Sequence, residues 1–298
     1  MSQTFELAKS RLQNLEAIEP LLSALRTLSM GTWHSALNKI ENMKKYENKF
    51  SQILDEVLPN VQELPINNWK QHSKKASIAD TIVLIIGSER GLCGKFNETL
   101  AKTAISWLNE KAFDSYQIWV LGSSMIKTLT QMKVDISVRR SMPSGTLISY
   151  LQCYKLCQDW LLKYENHYFD HFQLIFNDME QGQHYTFSTI SLLPFEIKPS
   201  PSNTDHEPIQ YPAPIIETDP KGIYHQIIQH YVASSLYKIL MKSSAAEHAA
   251  RFRLMEDAKE NAEEIINEMD QIINTERKRR ITQQMQELAA GAGLLDNK

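Results

Sequence analysis

Hydrophobic positions recur with two different rhythms along this chain. In the N-terminal segment, Leu15, Ile18, Leu22, Leu25, Leu28, Thr32, Ala36, Ile40, Met43, Phe50, Ile53 and Val57 fall mostly three or four residues apart, with Lys, Glu, Asn and Gln between them. That spacing places them on one stripe of a helix. The pattern stops at Pro59, and ~55 residues at ~1.5 Å each would reach ~80 Å. Pro20 conflicts with one straight helix, since an interior proline costs ~3 kcal/mol unless it starts a new helix. A kink or break is predicted there. In the C-terminal segment, Ile228, Val232, Leu236, Ile239, Ser243, Ala246, Ala250, Ala258, Ala262, Ile265, Met269, Ile272, Met285 and Leu288 continue the same period. No glycine or proline lies between Ile223 and Ala290, which predicts a helix of ~70 residues and ~105 Å. A helix of that length must project beyond a small domain. The middle of its seam is small (Ser243, Ser244, Ala245, Ala246, Ala249, Ala250), so another helix axis can approach closely. A sustained seam needs a partner helix. The N-terminal helix carries a matching stripe, so the two are expected to form an antiparallel coiled coil.

The middle segment alternates short strands with helices. Thr81–Ile86, Gln117–Leu121, Phe172–Phe176 and Phe187–Leu192 read as strands, and Lys133–Val138 as a weaker one. Asn97–Lys111 and Leu147–Lys163 read as helices, the second with Leu147, Leu151, Tyr154, Cys157 and Leu161 on one face. Alternation of this kind predicts an open, mainly parallel sheet with helices on its faces. Seven prolines between Pro194 and Pro220 exclude helix and central strand from that stretch. The expected organisation is a helix over 1–58, an α/β domain over 76–193, a proline-rich loop over 194–217 and a helix over 218–295. The fold class is therefore α/β plus a long antiparallel coiled coil.

Composition narrows the partners. A hydrophobic share of 42% and a charged share of 22% suit a folded soluble chain, and a net charge of −3 gives no general pull toward nucleic acid. Met1–Ser10 has neither the apolar core nor the cleavage site of a signal peptide. No apolar run approaches the ~18–20 residues of a membrane span. Three cysteines argue against a disulfide framework.

Candidate chemistry centres on Gly87-Ser-Glu-Arg-Gly-Leu-Cys-Gly-Lys-Phe96, a glycine-rich turn after a strand. A phosphate-binding loop needs G-x-x-x-x-G-K-[ST]; here Glu89 stands where the first glycine belongs, and Phe96 replaces the hydroxyl that would meet Mg²⁺. The dinucleotide pattern G-x-G-x-x-G also fails, and Glu89 would repel phosphate. A tight structural loop and a contact loop on the rim of the sheet remain, and the second is favoured. Cys93 is a reactive thiol or a small packed residue. Cys153 and Cys157, four apart on a helix, bind a metal, form a redox pair or pack against the sheet; no second pair or histidine cluster accompanies them, so packing is favoured. His167 and His171 lack the acidic partner of a zinc-protease motif. Glu276-Arg-Lys-Arg-Arg280 is either a solvated helix face or a belt for an acidic partner surface.

Three blocks together resemble the gamma subunit of F-type ATP synthases over nearly the whole chain. Val83-Leu-Ile-Ile-Gly-Ser-Glu-Arg-Gly-Leu-Cys-Gly-Lys-Phe-Asn97 is similar to that family's strand followed by G-D-R-G-L-C-G-G-Y-N. Ser243-Ser-Ala-Ala-Glu-His-Ala-Ala-Arg251, with Met255, Ala258, Asn261 and Ala262, resembles S-x-A-S-E-H-x-A-R-M…M-x-x-A…N-A. Ile281-Thr-Gln-Gln-Met-Gln-Glu-Leu-Ala-Ala-Gly-Ala292 resembles I-T-x-E-I-x-E-I-x-x-G-A.

The resemblance implies a central-stalk rotor subunit that carries torque between a membrane rotor ring, driven by protons or sodium ions, and a catalytic ring. It implies no catalytic residue, cofactor or metal in this chain, because ATP chemistry would occur on the ring. It implies contacts with the alpha and beta subunits through Arg277, Arg280, Thr282, Gln283, Gln284 and Glu287. It implies a foot contact with subunit c and the epsilon subunit through Glu89, Arg90, Gly91, Leu92, Cys93, Gly94 and Asn97. The implied location is peripheral, on the cytoplasmic side of a bacterial plasma or thylakoid membrane. Departures are Glu89 for the family's Asp, Lys95 for its second Gly, Gln284 for the first acid of I-T-x-E, and Leu25, Thr32, His34 and Ser35 in the N-terminal helix. Alternatives are a coiled-coil adaptor outside a rotary ATPase, which would not co-purify with catalytic subunits, and a nucleotide-using α/β enzyme, which would bind nucleotide alone.

Overall fold

The computed structural model describes residues 3–57, 79–111, 113–143, 147–179, 184–194 and 220–291. Their order is α1 (Gln3–Val57), β1 (Ala79–Ile86), α2 (Phe96–Glu110), β2 (Tyr116–Leu121), α3 (Ser123–Gln131), β3 (Val138–Arg140), α4 (Tyr150–Glu165), β4 (Phe169–Met179), β5 (Tyr185–Leu193) and α5 (Pro220–Gly291). The chain divides into two compact units, Met1–Ser29 with Arg251–Lys298, and Met30–Ala250. Each terminal helix contributes to both. The predicted stop at Pro59, and the proline-rich loop apart from Pro194, lie outside the described residues.

The larger unit holds the sheet, in the order β3-β2-β1-β4-β5. β2 and β4 flank β1 and run parallel to it, β3 is parallel to β2, and β5 is antiparallel to β4. The sheet is thus mainly parallel with one antiparallel edge. β1 reads Ala-Asp-Thr-Ile-Val-Leu-Ile-Ile, and its apolar run is buried on both faces, as a central parallel strand requires. Val83 and Ile85 meet Leu100, Ala104 and Leu108 of α2 and Met125 and Leu129 of α3. On the opposite face Trp119 of β2 and Phe172 of β4 meet Trp160 of α4, with ring centroids 5.1–6.3 Å apart. Ser149 starts α4 with a reciprocal cap, its hydroxyl accepting from the Gln152 N–H while the Gln152 side chain accepts from the Ser149 N–H.

Helix α5 is built into this unit. Its residues Ile227, Ile228, Val232, Ala233, Leu236, Ile239, Leu240 and Met241 are buried. Lys242 pairs with Asp178 of β4 at 2.6 Å, and Lys238 with Glu47 of α1 at 2.5 Å. His230 lies between the rings of Phe50 and Tyr154. In this unit later α1 residues therefore meet earlier α5 residues. The smaller unit repeats that antiparallel sense: Ala8 packs with Met269 and Ile273, whereas Arg26 pairs with Glu256 and lies over the Phe252 ring.

Four expectations need correction. The weak strand over Lys133–Val138 is instead a turn and connection that follow a helix, with only Val138 in a strand. α3, which the sequence reading omitted, ends in a turn with Lys133 at φ 59 and the Val134 N–H bonded to the Leu129 carbonyl. β3 begins only at Val138; Ile136 is buried because the connection delivers it to the core. Second, of the kink or break predicted at Pro20, the break is absent: α1 is continuous through it. Pro20 is exposed, so the carbonyl that loses its helical partner can turn to water. Third, the α1 stripe mixed two faces. Ala8, Ser29, Trp33, Ala36 and Ile40 form the buried side, while Ile18 and Leu28 are 46% and 67% exposed. Fourth, Ile265, Ile272, Met285 and Leu288 of the α5 stripe are exposed, and Ile273 is buried in place of Ile272.

Candidate functional site

The loop between β1 and α2 is held by two hydrogen-bond systems. On one side, Asn97, the second residue of α2, accepts from the Ser88 N–H (3.0 Å) and donates to the Ser88 and Ser124 hydroxyls (2.7 and 3.0 Å). The Cys93 thiol lies 3.5 Å from the Ser88 hydroxyl. Its residue packs with Phe96 and with Ala246 of α5. On the other side, one Glu89 oxygen accepts from the Ser123 and Met142 N–H groups (3.0 and 2.8 Å), and the other accepts from the Ser123 hydroxyl (2.6 Å). Partial burial works to raise the pKa of this carboxyl, but the three hydrogen bonds and the Arg90 charge outweigh it and hold the group below the ordinary range.

Two glycines make this geometry possible. A β-carbon on Gly87 would lie 2.4 Å from that of Met125, and one on Gly122 would lie 2.6 Å from the Gly87 carbonyl oxygen. Gly122 also has φ +112, which side-chain-bearing residues avoid.

The seven loop residues singled out by sequence therefore divide. Glu89, Cys93 and Asn97 face inward as anchors, whereas Arg90, Gly91, Leu92 and Gly94 are exposed. Leu92 is 60% exposed and sits at φ 61, in the left-handed region that leucine disfavours. Sequence reasoning missed Ser88, Ser123, Ser124, Met142 and Ala246, which complete the site from distant positions. The one available signal was Gly122-Ser-Ser124 directly after a strand, a composition suited to a turn into a helix.

Cys153 and Cys157 are both buried, and Cys153 donates to the Ala233 carbonyl of α5. Burial pushes both thiols up, Cys157 to about 12, so neither is a thiolate near neutrality. His171 lies on β4, and His167 in the turn before it at φ 54.

Arg277, Arg280, Thr282, Gln283, Gln284 and Glu287 are all exposed along α5. Thr282 donates to the Lys278 carbonyl, and Gln283 to the Glu287 carboxylate. Arg279, between the two arginines of interest, pairs with Glu276. Beside this polar face run Ile281, Met285 and Leu288, 53%, 66% and 71% exposed. The segment continues about 27 Å past Ile273, the last α5 residue buried against α1.

A family model described as ATP synthase matches residues 4–295. The ATP synthase gamma chain of Amoebophilus asiaticus is 24% identical over 290 residues, covering 96% of this chain and 97% of the relative. The central stalk and c-ring structure of the Tetrahymena thermophila mitochondrial ATP synthase matches with a TM-score of 0.56 and 18% identity, over 80% of this chain and 99% of that one. The rotor of the Euglena gracilis mitochondrial ATP synthase matches with a TM-score of 0.58 and 13% identity, over 94% of this chain and 100% of that one.

Proposed function

Because this chain belongs to the ATP synthase family and is a gamma-type subunit of the central stalk, we propose that it transmits torque and performs no chemistry itself. ATP is made or hydrolysed on the alpha and beta subunits of a surrounding ring. Subunit c of a membrane rotor ring and the epsilon subunit meet this chain elsewhere. The complex lies on the cytoplasmic face of a membrane and is driven by protons or sodium ions. No described helix is long and apolar enough to cross a membrane.

The observation that carries this reading is the continuation of α5 beyond Ile273. Its six candidate ring-contact residues are exposed, and an apolar stripe beside them is exposed too. An apolar stripe of this kind suits burial against a partner. Hydrogen-bonding groups such as Gln284 and Thr282 suit contacts that are made and broken at modest net energy. The second contact region is the exposed tip Arg90-Gly91-Leu92 with Gly94. Glu89, Cys93 and Asn97 act there by holding the tip.

Reconstitution tests the proposal. Ring subunits assembled with this chain should hydrolyse ATP and couple hydrolysis to ion movement when joined to the membrane sector. Without the chain, coupling should vanish. A chain that fails to co-assemble with alpha and beta subunits would be an adaptor of another complex. Cross-linking from a cysteine placed at Leu92 then identifies which subunit covers the loop.

A further inference from the structure

We propose that Glu89 is an internal anionic ligand: its carboxylate fills the anion position at the carboxyl edge of the parallel strands and so fixes the loop that presents Arg90, Gly91 and Leu92. The inference rests on reading that loop as a contact surface. It goes further in assigning Glu89 a positioning role.

Sheets of this class receive anionic ligands outside the carboxyl ends of parallel strands, where backbone N–H groups at a helix start point outward. Here the ends of β1, β2 and β3 are drawn together. The Gly87 N–H donates to the Leu121 carbonyl at 2.9 Å, and the Gly122 N–H donates to the Arg140 carbonyl at 3.0 Å. The Ser123 N–H opens α3, and the Met142 N–H follows β3. These two groups lie 34 and 53 residues from Glu89 in sequence and converge on the same carboxylate oxygen. The Ser123 hydroxyl takes the other oxygen. The position on which these donors converge is occupied by the chain's own side chain.

The consequence falls on the loop. A carboxylate accepting three hydrogen bonds is a strong anchor. It ties the residue before Arg90 to segments that follow β2 and β3. The Asn97–Ser88 system ties the other end. Between these anchors Leu92 keeps a disfavoured left-handed φ, and Cys93 is 5% exposed. Loss of the Glu89 anchor should let the loop relax and Cys93 open, while the sheet core stays closed.

Peptide-resolved thiol labelling of the full chain tests this at neutral pH. Cys93 is the reporter, and Cys153 and Cys157, 0% and 2% exposed, are built-in controls for general unfolding. In Glu89→Ala and Glu89→Gln, Cys93 should label about ten- to a hundredfold faster, the loss expected for hydrogen bonds to a charged group, with the controls unchanged. Alanine leaves both N–H donors and the hydroxyl in place, and the fragment removed corresponds to acetate. Added acetate should therefore slow Cys93 labelling in Glu89→Ala but not in Glu89→Gln, whose side chain still fills the space. Glu89→Asp should fall between Glu89→Ala and the parent chain.

Unchanged Cys93 labelling in Glu89→Ala, equal acceleration at all three cysteines, or no response to acetate would each overturn the proposal. If Cys93 opens and acetate closes it while coupled turnover of the reconstituted complex is unaffected, Glu89 holds the loop but the loop is not a working contact.

Discussion

Glu89 illustrates how a single residue is set by opposing effects. Partial burial of its carboxyl raises the pKa, whereas Ser123, Met142 and Arg90 lower it, and the lowering wins. A carboxyl held below its ordinary value stabilises the fold most where it is ionised in both folded and unfolded chains. That contribution is present above the unfolded value of about 4.3 and is lost as pH falls through the lower, folded value. The Tm of the parent chain should therefore exceed that of Glu89→Gln by a constant margin from neutral pH down to about 5. The margin should shrink as acidification continues. A margin independent of pH throughout the acid range would mean that the carboxylate's charge contributes nothing. Neither the hydrogen-bond donors nor their convergence was legible in the sequence. The Gly-Ser-Glu-Arg-Gly run announced a constrained turn, but Ser123 and Met142 reach it only through the sheet.

At the scale of elements, the long helices owe their form to different causes along their length. Within the larger unit α5 is buried on several sides, so small residues sit where neighbours crowd it. Ala246 is 0% exposed and touches Cys93 and Phe96. Ala246→Leu should cost about 1–3 kcal/mol through overpacking, seen as a lower Tm. It should also speed Cys93 labelling, because the added volume meets the loop first. An unchanged Tm would show that the loop yields freely, against the anchored geometry described above. In the smaller unit, burial on α5 narrows to Arg251, Met255, Ala262, Met269 and Ile273, a single stripe suited to one partner helix. The 3.6-residue period was readable in both terminal segments. The side that is buried was not, because α1 carries apolar residues on two faces and periodicity alone does not rank them.

For the molecule as a whole, the exposed end of α5 carries the most direct prediction. Arg277 and Arg280 are exposed, so replacing both with Ala should leave thermal stability nearly unchanged. In the reconstituted complex the same variant should lower coupled turnover roughly two- to thirtyfold, the effect of losing one or two contacts of about 0.5–1 kcal/mol each. Circular dichroism checks the first expectation, and the rate of ATP-driven ion pumping checks the second. Full turnover with an intact fold would leave the basic run as a solvated helix face.

The sequence by itself determined the element types, the mainly parallel sheet between two long helices and, through three ordered motifs, the family. Those properties rest on local physics: hydrophobic period, proline and glycine placement, and contiguous strings of residues. It did not determine α3, the exit before β3, the passage of α1 through Pro20 or the buried side of α1. Tertiary structure decided these, because each depends on which surfaces face solvent and which meet a neighbour. The same holds for the β1–α2 loop. Its glycine-rich sequence left a structural turn and a contact loop open. Folding then brought donors from two distant segments to Glu89, turning three of the seven candidate residues inward as anchors and leaving four at the surface.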